Sequence, residues 1–406
     1  MEAVTRKRNL RSFQPLWANS HHIQVEAERS TPLDTVDVLI VGAGIGGALM
    51  AVSLLKRGLS ILVVDRRRPL QGSSLASTAM IQHEIDVPLH RLAVALGAEE
   101  ARRVWQRSAK AVETLTTLVD LLGIDCHLER KRALYLAGDA YGARALKTEA
   151  EARRAAGIAA DFLSATELRN RFALERTAAI ESVISASANP AQLTASLWRK
   201  AQADGVSIVE NLEITDIRSV GEWNVVATSK GQILQARHVV FCTGYEFLDA
   251  VANQGHRIVS TWALATRPHH PRPRWLKDYI VWEASDPYLY FRSTPDGRII
   301  VGGEDEESPV AFQDPVKLAS KTRVLREKLG DLLDTPIEDP EYQWAAAFGV
   351  TADGLPMIGA VPGLQNVYAA MGYGGNGITF SQIAAEIVSA AILGHDDPDS
   401  QLFAFR

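Results

Sequence analysis

A run of β-branched residues, Val36–Val41, ends in Gly42-Ala43-Gly44-Ile45-Gly46-Gly47, and a helical repeat (Ile45, Leu49, Val52, Leu55) begins inside that glycine run. A strand, a glycine turn and a helix in immediate succession open a βαβ unit. Gly42 permits the tight turn, Gly44 lets the backbone approach a pyrophosphate, and Gly47 lets the helix pack closely on the strand. The helix N-terminus, with Ile45 and Gly46 in its first turn, offers free N–H groups and a positive dipole end to an anion. Gly58 stops the helix, Leu59–Val64 reads as a second buried strand, and Asp65 follows, where an acid holds ribose hydroxyls. Near-continuous apolar strands of this kind belong to a parallel sheet. The plain alternative is a structural turn. Strand, helix and acid together favour a dinucleotide site, and alone they do not separate NAD from FAD.

The chain of 406 residues is too long for one ordinary core, so two domains are expected. Hydrophobic residues at 47% and charged residues at 22% fit a soluble globular protein, and a net charge of −5 argues against a nucleic-acid partner. Cys126 and Cys242, without CxxC spacing, exclude a disulfide framework and suit a reducing cytosol, so a cytoplasmic location is expected. No apolar segment approaches the ~20 residues that span a bilayer. Ile378–Leu393 is interrupted by Ser381, Gln382 and Glu386 and reads as a core-facing helix. Residues 1–33 lack the apolar run of a secretory signal and read as an arm before the first strand. The pairs His21-His22 and His269-His270 lack partner ligands at metal spacing, so they are placed on the surface and no metal is expected.

Further along, a long helix is expected over 97–123, a strand over Arg132–Ala137, and helices near 143–156 and 165–171. Asn189-Pro190 opens another helix, and Val239–Gly244 is a strand. From 256 to 303 the pattern is purely β, with runs at 257–266, 278–284, 288–293 and 298–303, the last two joined by the turn Thr294-Pro295-Asp296-Gly297. Val367–Met371, Gly372–Gly377 and Ile378–Leu393 close the chain as strand, turn and helix. The nucleotide-binding features fall in blocks 34–87, 183–247 and 346–406. The blocks between them, 88–182 and 248–345, carry the β-rich material of a second, substrate-binding domain.

Two further segments narrow the cofactor. Gly72, Ser73, Ser74, Ser77, Thr78, Ala79 and Met80 lie in a run of small and hydroxyl residues that continues to Gln82-His83-Glu84-Ile85-Asp86 and suits a loop beside a pyrophosphate and a flavin. The stretch Phe348–Gly359, with Gly354, and the loop Gly372-Tyr373-Gly374-Gly375-Asn376-Gly377-Ile378-Thr379 form a closing pair. With Val239–Gly244 these blocks stand in an order that resembles the D-amino acid oxidase, glycine oxidase and sarcosine oxidase family of flavoproteins, from about residue 36 to the C-terminus. The resemblance implies an α/β fold with a Rossmann-type FAD-binding domain built from discontinuous segments and an antiparallel-sheet α+β substrate domain. It implies bound FAD, with the glycine loop starting a helix whose N-terminus stabilises negative charge on the reduced ring. It also implies that Thr243-Gly244 is a close backbone approach and that Ile214 presents a main-chain group to the adenine. Family members that attach FAD covalently use a cysteine where this chain reads Trp344-Ala345-Ala346-Ala347, so non-covalent FAD is expected.

The family transfers hydride from a C–H next to nitrogen, or sometimes oxygen, to the flavin, and dioxygen or another acceptor then reoxidises it. Expected here is oxidation of a small amine or amino acid, with O2 giving H2O2. The alternatives are a flavin dehydrogenase acting on an amine or 2-hydroxy acid with another acceptor, and a flavin-binding regulatory protein. A second-acceptor reading draws on Thr379, which stands where sarcosine oxidase-like members carry an oxygen-activating lysine. Period-two alternation puts Tyr288, Tyr290 and Arg292 on one face of a hairpin strand. Arg292 is read either as a carboxylate clamp or as an exposed hairpin arginine, since Thr294 occupies the family position. Gln82 and His83 are candidates to face the substrate, and Glu84 to bind an amine. Arg66, first of the run Arg66-Arg67-Arg68, belongs to a solvated edge or approaches the adenosine.

Overall fold

The computed structural model describes residues 4–251 and 255–406. Residues 1–3 of the expected arm, and 252–254 within block 248–345, lie outside the described residues. Two sheets organise the rest. The smaller has eight described strands and is parallel at its centre, in the order Val367–Met371, Ile233–Gly244, Thr35–Val41, Ile61–Val64, Ser207–Val209. Met357–Ala360 pairs antiparallel on its outer edge, and the strands Ile214–Val220 and Trp223–Thr228 form a meander on Ile233–Gly244. The central strands are apolar because both faces are covered: Val38, Ile40 and Val63 pack with the helices, while Leu39, Leu62 and Val64 pack with the meander residues Ile214 and Val226 and with Phe247.

The first helix, Ile45–Ser53, packs against the helix Pro190–Ala203 and the C-terminal helix Gly377–Ile392. It ends at Ser53, short of the expected Gly58, and a turn through Lys56 at φ 60° covers the difference. Asn189 caps the helix Pro190–Ala203, its side chain accepting from the N–H groups of Ala191 and Gln192. None of the described helices is long and apolar enough to cross a membrane.

The larger sheet has ten described strands and is antiparallel at every pairing but one, Tyr279–Ala284 with Glu129–Ala137. Its order begins Arg11–Phe13, Tyr342–Thr351, His256–Ala265, Ile299–Glu306, Leu289–Ser293, and continues through Tyr279–Ala284 to Glu129–Ala137, Ala178–Ser187 and Met80–Gln82. Strands near the expected block edges therefore share this sheet: Met80–Gln82 from block 34–87, and Tyr342–Thr351, which straddles 345 and 346. The hairpin at Thr294–Gly297 forms, with the Thr294 N–H donating to the Arg298 carbonyl at 3.0 Å and the Arg298 N–H to Thr294 Oγ1 at 3.1 Å.

The N-terminal arm corrects the expectation that it precedes the first strand. Arg11–Phe13 is itself an edge strand on Trp344–Ala346, and Trp17 is buried with its indole N–H donating to the Ser77 carbonyl at 2.7 Å. A long open edge strand would be an aggregation hazard, and the arm covers Tyr342–Thr351 so that the outer edge here is a strand of only three residues.

The long helix Ala98–Leu121 and the helix Ala143–Ala155 clamp segment 82–86 through a buried ion cluster. Arg153, fully buried, pairs with Glu84 and with Glu149 (2.7 Å) and stacks over Trp105, 4.6 Å from the ring centroid. Glu149 also accepts from the backbone N–H groups of Leu89 and His90. Removing one partner of such a pair strands the others in a dry site, so Arg153→Ala is expected to lose about 3–5 kcal/mol of stability in a urea titration.

Candidate functional site

The glycine turn forms because Gly42 sits at φ 116° and its N–H donates to the Val64 carbonyl at 2.8 Å. A Cβ on Gly47 would lie 2.0 Å from the Gly42 carbonyl oxygen, so only glycine lets the helix approach the strand this closely. Asp65 ties the two ends together. Its carboxylate accepts from the Ala43 and Arg67 N–H groups, each at 2.7 Å, while burial pushes its pKa up. Ser74 Oγ accepts from the Ile45 N–H at 3.0 Å, fixing the 72–77 segment over the helix N-terminus.

These elements open into a cavity of about 1810 Å³, its mouth included. Gly42, Gly44, Ile45 and Gly46 line it, as do Asp65 and Arg66 at the end of the second strand. Gly72, Ser73, Ser74, Ser77, Thr78 and Met80 line it from the next segment, and Ile214, Thr243 and Gly244 from the far side of the small sheet. The start of the C-terminal helix contributes Gly374, Gly375, Asn376, Gly377 and Ile378. Gln82, Tyr288 and Tyr290 line the part bounded by the larger sheet.

Several expected residues lie behind this surface instead. Gly47 packs under the turn, and Ala79, at φ 50°, is 1% exposed and points into the core. A Cβ on Gly354 would meet Val87 at 2.7 Å, and one on Gly372 would meet Thr351 at 3.0 Å, so both glycines face packed side chains. Thr379 is buried and donates to the Gln82 carbonyl at 2.9 Å, which fastens the C-terminal helix to the strand at the cavity floor.

Three substrate assignments are corrected. His83 alternates away from Gln82 into the core, where Nδ1 lies 2.7 Å from the Ile184 carbonyl and the ring meets Trp105 edge-on; burial lowers its pKa. Glu84 is spent on Arg153 and on the Trp282 indole N–H at 2.6 Å. Arg292 is neither an exposed hairpin residue nor a clamp. The 76–79 segment crosses its strand, so the guanidinium is 1% exposed and donates to the carbonyls of Thr78 (2.7 Å) and Ala188 (2.9 Å). Desolvation brings its pKa down to about 9. Two surface placements also change. His270 is buried, and Arg66 and Arg67 turn inward to Glu246 and to the Arg8 carbonyl, leaving Arg68 exposed. No group of metal-holding side chains exists among the described residues.

Sequence reasoning gave no individual role to Asp86 or Cys242, though both lie in its site segments, and missed Tyr245 and Glu246; all four line the cavity. Tyr245 donates to the Gly374 carbonyl at 2.9 Å and Asp86 accepts from the Gly375 N–H at 3.2 Å, so both hold the closing loop. The available signal was Arg66-Arg67 itself, since two adjacent cations turned inward require an acid.

A family model of FAD dependent oxidoreductases matches residues 37–391. The chain belongs to that family. Its cofactor is FAD and it is an FAD-dependent oxidoreductase. The flavoprotein is 26% identical over 375 residues to the putative Rieske 2Fe-2S iron-sulfur protein YhfW of Bacillus subtilis (strain 168), which covers 90% of this chain and 70% of that one. It is 22% identical over 397 residues to the gamma-glutamylputrescine oxidoreductase of Escherichia coli (strain K12), with 92% and 89% covered. Among solved structures it is similar to glycine oxidase from Geobacillus kaustophilus, with a TM-score of 0.75, 21% identity and coverage of 92% and 99%. It is also similar to L-proline dehydrogenase from P. horikoshii, with a TM-score of 0.76, 20% identity and coverage of 93% and 97%. These structural likenesses establish the fold.

The residues present fit a dinucleotide. A Cβ on Gly44 would meet only Ser74 Oγ, at 3.2 Å, so the space in front of the turn is open, and the buried Ser73 hydroxyl has no partner among the described residues. Gly44→Val is expected to abolish FAD retention, read as the ratio of flavin to protein absorbance in the purified protein. Arg292→Ala removes the donor from the carbonyls of Thr78, Ala188 and Ser293. It is expected to cost about 1–3 kcal/mol and lower FAD content, whereas a change confined to KM would restore a direct substrate role.

Proposed function

We propose that this flavoprotein oxidises a small amine or amino acid at a C–H bond next to nitrogen, with O2 as acceptor and H2O2 as product. The observation that carries this reading is the continuity of one cavity from the glycine turn and Asp65 to Tyr288, Tyr290 and Gln82 on the larger sheet. When bound, FAD supplies a two-electron acceptor for hydride. In the proposed assignment, the N–H groups at Gly44–Gly46 with Ser73 and Ser74 hold the pyrophosphate. Asp65, Arg66 and the Ile214 main chain hold the adenosine, and Thr243-Gly244 gives the backbone a close approach. The loop Gly374–Ile378 presents a helix N-terminus, where unpaired N–H groups favour negative charge. Tyr288, Tyr290 and Trp282 wall the substrate side and exclude water. The substrate gives up hydride from carbon and a proton from nitrogen to become an imine, which water opens to a carbonyl compound and an amine. O2 takes up the two electrons and two protons.

Non-covalent attachment belongs to the same proposal. Ala346 and Ala347 line the cavity where an attaching cysteine would stand. Cys242 also lines it, but burial pushes its thiol up to about 12, which leaves it protonated and unreactive. Acid precipitation is expected to release all of the yellow flavin into the supernatant. Flavin retained in the pellet would show a covalent bond.

One observation favours a second acceptor: among the described lining residues there is no lysine, and Thr379 is occupied by the Gln82 carbonyl. Anaerobic mixing with the correct amine or amino acid is expected to bleach the flavin, and air to restore it with one H2O2 per substrate. Recovery only with an added dye acceptor would select the dehydrogenase reading. Bleaching by 2-hydroxy acids alone would overturn oxidation at nitrogen.

A further inference from the structure

Past the cofactor residues the cavity is aromatic and acidic. Tyr288 and Tyr290 stand with ring centroids 5.7 Å apart and planes tilted by 31°, and Trp282 and Phe348 line the same space. Asp86 is surrounded by protein, yet its side chain is open to the cavity, with one oxygen held by the Gly375 N–H. Asp305 neighbours the hydroxyls of Tyr288 and Thr261, both of which line the cavity, and its Oδ1 meets no well-aligned donor. The two aspartates feel each other's charge, and burial raises both pKa values, that of Asp305 to about 6.

Gln82 points the same way independently. The residue is 7% exposed and lines the cavity, its Nε2 donates to the Glu84 carbonyl at 3.4 Å, and its Oε1 has no partner among the described residues. What it leaves for a ligand is an acceptor. A buried acceptor without a donor costs free energy, and a bound N–H group removes that cost.

Among the described lining residues no cation is paired with Asp86 or Gln82. Arg66 and Arg67, which line the cavity, are both held by Glu246, and Arg292 lies behind the Thr78 carbonyl. Lys321, whose charge reaches Asp305, donates to the Glu304 carbonyl at 2.8 Å and sits 4.9 Å over the Trp262 ring. Aromatic faces beside a carboxylate attract a cation, whereas a substrate carboxylate placed here would face the like charge of Asp86, with Asp305 behind the Tyr288 and Thr261 hydroxyls.

We propose that this end of the cavity recognises a positively charged amine lacking a carboxylate next to its reacting carbon, held by Asp86 and Gln82 against Tyr288 and Tyr290. This rests on oxidation at nitrogen and narrows its substrate to amines and diamines rather than amino acids.

Calorimetric titration of the FAD-loaded protein with two unreactive probes, benzyltrimethylammonium and benzoate, tests recognition without turnover. The cation is expected to bind at least about tenfold more tightly than the anion. Asp86→Asn is expected to weaken the cation about tenfold, read in protein that retains FAD. Should that variant lose FAD, Asp305→Asn serves in its place, with the same direction expected. Tighter binding of benzoate, no binding of the cation, or cation binding unaltered in the FAD-retaining variant overturns the inference. A second arm uses anaerobic bleaching by 1,4-diaminobutane and N-methylbutylamine against glycine, sarcosine, L-proline and D-alanine. Bleaching by the amino acids alone overturns amine recognition and leaves oxidation at nitrogen standing. Bleaching by neither group, but by 2-hydroxy acids, overturns the underlying reaction, while the cation titration still reads recognition separately.

Discussion

The approach of the first helix to the central strand sets the geometry on which the rest depends. At Gly47 the two backbones come so near that a single methyl group would collide with the Gly42 carbonyl. That contact aims the helix N-terminus at the space in front of Gly44, and Asp65 secures it by accepting from the Ala43 and Arg67 N–H groups. A buried carboxylate offsets its desolvation with such hydrogen bonds, and here they lock the glycine turn.

Around this anchor the two sheets meet. The 72–82 segment leaves the small sheet, crosses the strand carrying Arg292, and joins the larger sheet through Met80–Gln82. Thr379 and Asn376 bond the carbonyls of Gln82 and Glu84, so the C-terminal helix is tied to the same strand. The surfaces read here as cofactor and substrate sites are thus rigidly joined, with Arg153 and Glu149 bracing the strand from behind. Arg292 is part of that frame. Its guanidinium satisfies carbonyls of the crossing segment rather than a ligand.

Much was legible in order along the chain. The strand, glycine turn and helix at 36–53, the capped helix after Asn189, and the hairpin at Thr294–Gly297 follow from local periodicity and turn chemistry. Contacts between distant segments were not legible. Alternation correctly grouped Tyr290 with Arg292, but it carried no information about the 76–79 segment lying across them. Gln82 and His83 are neighbours in sequence, yet one lines the cavity and the other fills the core beside Trp105. Glu246 was invisible as the partner of Arg66 and Arg67 because about 180 positions separate them.

From its residues alone the chain determined where a glycine turn joins the first βα pair and which family of flavoproteins it resembles, because those signals need only a few consecutive positions. Tertiary structure alone decided which charges face the cavity. Arg292 was withdrawn behind a crossing segment, Arg66 and Arg67 were both engaged by Glu246, and Asp86 and Gln82 were left lining the cavity with Tyr288 and Tyr290. Charge in a buried site is set by partners brought together across the fold, and one-dimensional spacing does not encode them.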